Sequence, residues 1–149
     1  MTAFLASYGA AFFAYLFINP AVLSWYEMLT KPAFAPSENT FAVVWLIIYG
    51  AMATALAIVW TKEPRAPHTE GWVRFFFVQL LFNASFMMFF FGFHAVLIAF
   101  FDLLFLGFIV IALAASAGEI DRRAVYLMLA YFLWILFNAY LMLNIWLLN

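Results

Sequence analysis

Few side chains of this chain can do chemistry, and those that can recur at helical spacing inside long apolar runs. Gln79 and Asn83, four residues apart, lie on one helical face that Phe86 and Phe90 continue. Tyr131, Trp134 and Asn138 stand at i, i+3 and i+7, and Leu141 extends their stripe. Trp45, Tyr49 and Met52 form a similar one. Such faces offer flat aromatic walls, indole and phenol donors, and carboxamides that donate and accept, which is equipment for holding a ligand. Asp102 is the one acid inside an apolar run, with His94 its nearest ionisable neighbour in sequence. A proton or ion role needs a relay partner, and no lysine, arginine or second carboxylate shares its depth, which favours a hydrogen-bonded structural acid. For Gln79 the plain alternative is an interhelical hydrogen bond worth about 1 kcal/mol. Asn83 and Trp134 fit helix packing and a pocket wall equally. The chain has no cysteine, so disulfides, thiolate nucleophiles and Cys-ligated metals are excluded.

The elements that must position these residues follow from composition. The chain is 70% hydrophobic and 9% charged, with a mean hydropathy of +1.10, whereas a soluble domain is about half apolar and about a quarter charged. The membrane is therefore the solvent. Six Lys and Arg against seven Asp and Glu, for a net charge of -1, leave no basic field for nucleic acid. A span needs about 20 mostly apolar residues. Five stretches qualify, about 4–23, 41–60, 72–91, 95–117 and 124–146. None shows the alternation of a barrel strand, so an all-α bundle of five transmembrane helices forming a single domain, 1–149, is predicted. The first run has no basic leader and no small-residue cleavage site, so it reads as a retained helix.

Lys62, Arg65, Arg74, Arg122 and Arg123 fall beside the second and fourth connectors, against Lys31 alone on the other side. That asymmetry predicts a cytoplasmic N-terminus and a C-terminus on the opposite face. Trp60, Trp72 and Trp146, at span ends, read as an interfacial belt. The first connector, 24–40, carries Trp25, Tyr26, Lys31, Pro32, Phe34 and Pro36, a stiff and partly apolar segment suited to capping a cavity or lying on headgroups.

These residues together resemble the TspO/MBR family, the tryptophan-rich sensory proteins of bacteria and the mitochondrial translocator protein or peripheral benzodiazepine receptor. The loop pattern is present as Trp25, Tyr26, Leu29, Lys31, Pro32, Phe34 and Pro36. The helix patterns follow as Trp45 and Tyr49, then Gln79, Leu80, Asn83, Phe90, Phe91 and Gly92, then Asp102, then Tyr131 and Trp134. Departures are Phe34 and Phe86 where the family has tryptophan, Ser37 and Ala130 where it has proline, and Phe137, Asn138 and Met142 in the last span. No Lys or Arg follows Tyr140 closely, so cholesterol recognition by the known short motif is unsupported.

The resemblance implies a multi-pass receptor or sensor, in a bacterial cytoplasmic membrane and often homodimeric. It would bind protoporphyrin IX, haem-like tetrapyrroles and benzodiazepine-type ligands noncovalently, within surrounding lipid. Its site would be Pro36, Trp45, Tyr49, Asn83, Phe86, Phe90, Tyr131, Trp134, Asn138 and Leu141 under the lid of Trp25, Lys31, Pro32 and Phe34, with no metal ligands. Two other classes compete. One is light- or oxygen-dependent porphyrin breakdown with Trp45 and Trp134 as redox-active side chains; the other is a transporter of tetrapyrroles or other small hydrophobic molecules centred on Asp102. Phe34 and Phe86 in place of family tryptophans weigh against the first, and the lack of a visible inverted repeat or broken helix pair weighs against the second.

Overall fold

Lipid offers a backbone amide no partner, so each apolar run must satisfy its own hydrogen bonds as a helix. The computed structural model describes residues 3, 5, 7–9, 12, 20–62 and 67–149, and among them there is no strand. In chain order the helices are α1 (Pro20–Met28), α2 (Glu38–Lys62), α3 (Pro67–Met87), α4 (Val96–Ala117) and α5 (Arg122–Leu148). A π-helical turn, Met88–Gly92, continues α3. Among the described residues, four helices are long and apolar enough to cross a membrane: α2, α3 with its π-helical turn, α4 and α5, at 25, 26, 22 and 27 residues. Even the shortest rises about 33 Å at 1.5 Å per residue, enough for the hydrocarbon core. α2, α3 with its turn and α5 contain the predicted spans 41–60, 72–91 and 124–146, and α4 matches 95–117 except for Ala95, which is its N-cap. The predicted span 4–23 lies mostly outside the described residues.

The connectors are more helical than predicted. Residues 24–28 of the first connector belong to α1, and 38–40 belong to α2. Ser37 causes the early start of α2: its hydroxyl accepts from the Thr40 amide at 3.3 Å and lies 2.9 Å from Thr40 Oγ1. It is an N-cap, with Glu38 in the first turn against the helix dipole. The serine standing where the resemblance expects proline thus has a local task. Similarly α3 opens on Pro67, whose missing N–H costs nothing at a helix start, and so absorbs residues 67–71 of the second connector.

Contacts across the ends sort the connectors. Lys62 Nζ lies 3.4 Å from Asp121 Oδ2, which puts the end of α2 beside the start of α5. At the opposite end Thr30 N donates to Asn149 Oδ1 at 2.9 Å, Asn149 Nδ2 returns to Thr30 O at 3.0 Å, and Trp25 stacks on His94. The first connector, the 92–94 turn and Asn149 therefore share one end. Asp121 also N-caps α5, accepting from Arg123 N at 2.8 Å and pairing with its guanidinium at 3.2 Å. The Arg123 side-chain bond, then its backbone bond, hold the Asp121 carboxyl at about 2, below its ordinary 3.8. A lowered pKa contributes stability above the ordinary value and loses it as pH falls through the folded one. Asp121→Ala is accordingly expected to lower the thermal midpoint in detergent by a few degrees at pH 7. It should also flatten the decline in stability between pH 3.8 and about 2, which a pH series of melting curves checks.

The most extensive helix pair is α4 with α5, buried around Leu103, Leu106, Met128 and Ile135. Trp72 departs from the predicted interfacial belt. It is 3% exposed, and its indole N–H donates to Leu113 O at 2.9 Å, tying α3 to α4. Trp60 and Trp146 are nearly half exposed, as a belt position requires.

Candidate functional site

The three polar stripes meet. Asn83 of α3 is buried, its Oδ1 accepts from the Tyr49 hydroxyl of α2, and its Nδ2 donates to the Tyr131 hydroxyl of α5 at 2.9 Å. One carboxamide thus bridges two phenols on two other helices, using a donor and an acceptor that an aliphatic side chain lacks. Around it the aromatic rings close. Trp45 lies 5.6 Å from Tyr49, 6.4 Å from Tyr131 and 6.1 Å from Trp134, the last edge to face. Phe41 contacts both tryptophans, and Phe137 stacks on Trp134 at 5.2 Å.

Polar satisfaction stops short of this ring set. The indole nitrogens of Trp45 and Trp134 and the Oδ1 of Asn138 are buried without a hydrogen-bond partner among the described residues. Asn138 Nδ2 instead donates back to Trp134 O at 2.6 Å. Two donors and one acceptor are therefore left on adjoining stripes, and buried polar groups of this kind are ordinarily paired. Gln79, one helical turn from Asn83 along α3, is fully buried with both amide atoms unpaired, so the interhelical bond anticipated for it does not form among the described residues.

Not every predicted site residue joins this cluster. Phe86 and Phe90 stack on each other at 6.0 Å, and Phe90 meets Trp25 and Tyr26 in T-shaped contacts. Among the described residues no ring contact links that pair to Trp45 or Trp134, so the predicted aromatic wall divides in two. Leu141 is buried in the core, while Pro32 and Pro36 are half-buried in the connector. Phe34 stacks on Tyr140 at 5.1 Å and meets Phe137 at 6.3 Å, which seats the connector on α5. Lys31 turns inward on its own loop. Its ammonium donates to Tyr26 O at 2.6 Å and Leu29 O at 3.3 Å, capping α1 where free carbonyls gather. Among the described residues no cluster of three His, Cys, Asp or Glu could hold a metal ion.

Asp102 has a partner the sequence did not suggest. Ser85 Oγ donates to Asp102 Oδ1 at 2.8 Å, joining α3 to α4, while Oδ2 is buried with no partner among the described residues. Asp102→Asn keeps an acceptor for Ser85 and is expected to leave stability nearly unchanged; Asp102→Leu removes it and should cost about 1 kcal/mol. Chemical unfolding in detergent distinguishes the two. Sequence reasoning also missed Phe41 and Phe137 as ring partners. Phe41 was legible, standing four residues before Trp45 on the same helical face; Phe137 was not, since its place depends on how α5 is rotated.

The fold and this arrangement define a multi-pass, all-helical integral membrane protein with a buried centre of aromatic rings and amides. The model of the TspO/MBR family matches residues 2–147, and the chain belongs to that family. It is 27% identical over 146 residues to the tryptophan-rich protein TspO of Bacillus cereus, covering 98% of this chain and 94% of that one. An uncharacterized membrane protein, YtaB, of Bacillus subtilis is 31% identical, with 95% and 90% coverage. The translocator protein of Ovis aries is 29% identical, with 82% and 73% coverage.

Proposed function

We propose that the chain is a five-span receptor or sensor that binds a porphyrin or related tetrapyrrole between α2, α3 and α5, beneath the 24–40 connector. The observation carrying this reading is the buried, unpaired set of Trp45 Nε1, Trp134 Nε1 and Asn138 Oδ1 among close aromatic rings. An unpaired buried polar atom costs free energy, so a ligand that supplies its partner gains by doing so. A flat conjugated macrocycle brings faces for stacking and heteroatoms for the indoles and the amide. Benzodiazepine-type ligands meet the same requirements. The N-terminus is cytoplasmic in this proposal, because Lys62, Arg74, Arg122 and Arg123 lie at the Asp121 end and Lys31 at the other. The host is a bacterial cytoplasmic membrane, and the assembly is a homodimer.

Protoporphyrin IX titrated against tryptophan fluorescence tests the site. Trp45→Phe and Trp134→Phe keep a ring and remove a donor, so each is expected to weaken binding by about fivefold to tenfold. Wild-type affinity in both variants would sink the proposed site. Illuminating the same sample addresses turnover: a new absorbing product exceeding that of free porphyrin would favour the enzymatic reading, with the two indoles 6.1 Å apart as the redox-active pair.

A further inference from the structure

We propose that Phe137 is a built-in competitor for the ligand: its ring covers the face of Trp134 on which a flat ligand stacks, and a ligand that displaces it loosens the 32–36 segment of the connector through Phe34. The inference rests on the tetrapyrrole reading above and adds to it how occupancy of the site is passed to the connector. Among the described residues, Phe41 meets the Trp134 indole at 52° and Trp45 at 81°. Phe137 instead lies within 19° of parallel, with centroids 5.2 Å apart. That is offset stacking, the arrangement a conjugated macrocycle adopts on an indole. A phenyl ring carries no acceptor, however, and the Trp134 N–H beneath it has no partner among the described residues. A flat ligand with a heteroatom supplies both the stacking and the hydrogen bond, and so outcompetes Phe137.

The displacement reaches the connector because Phe137 is shared. It is half-buried and meets Phe34 in a T-shaped contact at 6.3 Å. Phe34 also stacks on Tyr140, but these two rings are 42% and 55% exposed, so little buried area holds them together. The rest of the connector is fastened elsewhere: Trp25 by Phe90 and His94, Thr30 by Asn149, Lys31 by the carbonyls ending α1, and Ser37 by its place at the start of α2. Between these points Phe34 supplies the ring contacts to α5 among the described residues. In a helix a phenylalanine chooses between χ1 near 180° and near −60°. A change of that kind takes Phe137 off the indole and disturbs its contact with Phe34, while the backbone of α5 stays in place.

Protoporphyrin IX titrated against the tryptophan fluorescence of the full chain reads the competition. Phe137→Ala keeps a good helix former and clears the indole face, so binding is expected to tighten by about threefold to tenfold. A ring that merely packed the bundle would leave affinity unchanged or lower when removed. Phe137→Leu keeps more of the bulk, protects the test against a variant that does not fold, and should tighten binding by about twofold. The connector is read in Ala35→Cys, which places a single thiol at a half-buried position of a chain without cysteine. Saturating protoporphyrin IX should speed its labelling by a water-soluble maleimide at least about threefold. With Phe137→Ala added, that acceleration should vanish although the ligand binds. Unchanged or weaker affinity in both Phe137 variants overturns the proposal, as does labelling that the ligand leaves unchanged or accelerates equally with and without Phe137. The tetrapyrrole reading fails on a different result, wild-type affinity in both Trp45→Phe and Trp134→Phe. Absence of quenching in wild type and Phe137→Ala alike overturns both.

Discussion

Asn83→Leu is expected to destabilise the bundle by about 2 kcal/mol, because two buried phenols lose their partner at a membrane-interior cost of roughly 1 kcal/mol each. Leucine nearly matches asparagine in shape, so the loss reports hydrogen bonding more than packing. Tyr49 and Tyr131 sit on different helices, and this amide is hydrogen-bonded to both hydroxyls. The variant should therefore also loosen α2 and α5 against α3 and weaken protoporphyrin IX binding. Adding Tyr49→Phe and Tyr131→Phe removes the orphaned hydroxyls, and the triple variant is expected to regain most of the lost stability. Unfolding in detergent provides the measurement. A triple variant as unstable as Asn83→Leu would show that the bridge is not the cause.

Gly107→Phe is expected to be more damaging still, while Gly107→Ala is tolerated. A Cβ at Gly107 would stand 3.6 Å from both Ile135 Cγ2 and Phe132 Cε2, ordinary van der Waals contact. Alanine therefore fits, and in a helix interior it gains up to about 1 kcal/mol over glycine. A phenyl ring has nowhere to go between α4 and α5, the most extensive helix contact in the fold. Overpacking of this kind costs about 3 kcal/mol or more. The readout is the yield of monodisperse protein and its melting temperature. Equal behaviour of the two variants would mean that α4 and α5 are not packed this closely.

Much of this was legible beforehand, for a physical reason. Inside lipid a backbone must bond to itself, so apolar length alone announces where α2 to α5 run, and helical spacing groups Trp45 with Tyr49, Gln79 with Asn83, and Tyr131 with Asn138. Gly107 could be picked out in the same way as a small residue fit for close helix contact. Boundaries were less legible, because caps are made by single side chains. Ser37 starts α2 early and Asp121 starts α5, and neither stands out in a hydropathy profile.

What the sequence by itself determined is thus the membrane setting, the four long described spans, the polar face of each, and the family pattern. Tertiary structure decided which faces meet. The Tyr49 and Tyr131 partners of Asn83 lie 34 and 48 residues away, and the Leu113 carbonyl that holds Trp72 lies 41 residues away. It also decided that Phe86 and Phe90 stack apart from Trp45 and Trp134, and that His94 stacks on Trp25. Spacing along a helix records which side chains share a face, because the period is set locally by backbone hydrogen bonds. It carries nothing about how one helix is rotated against another, and that rotation is set by packing summed over the whole bundle.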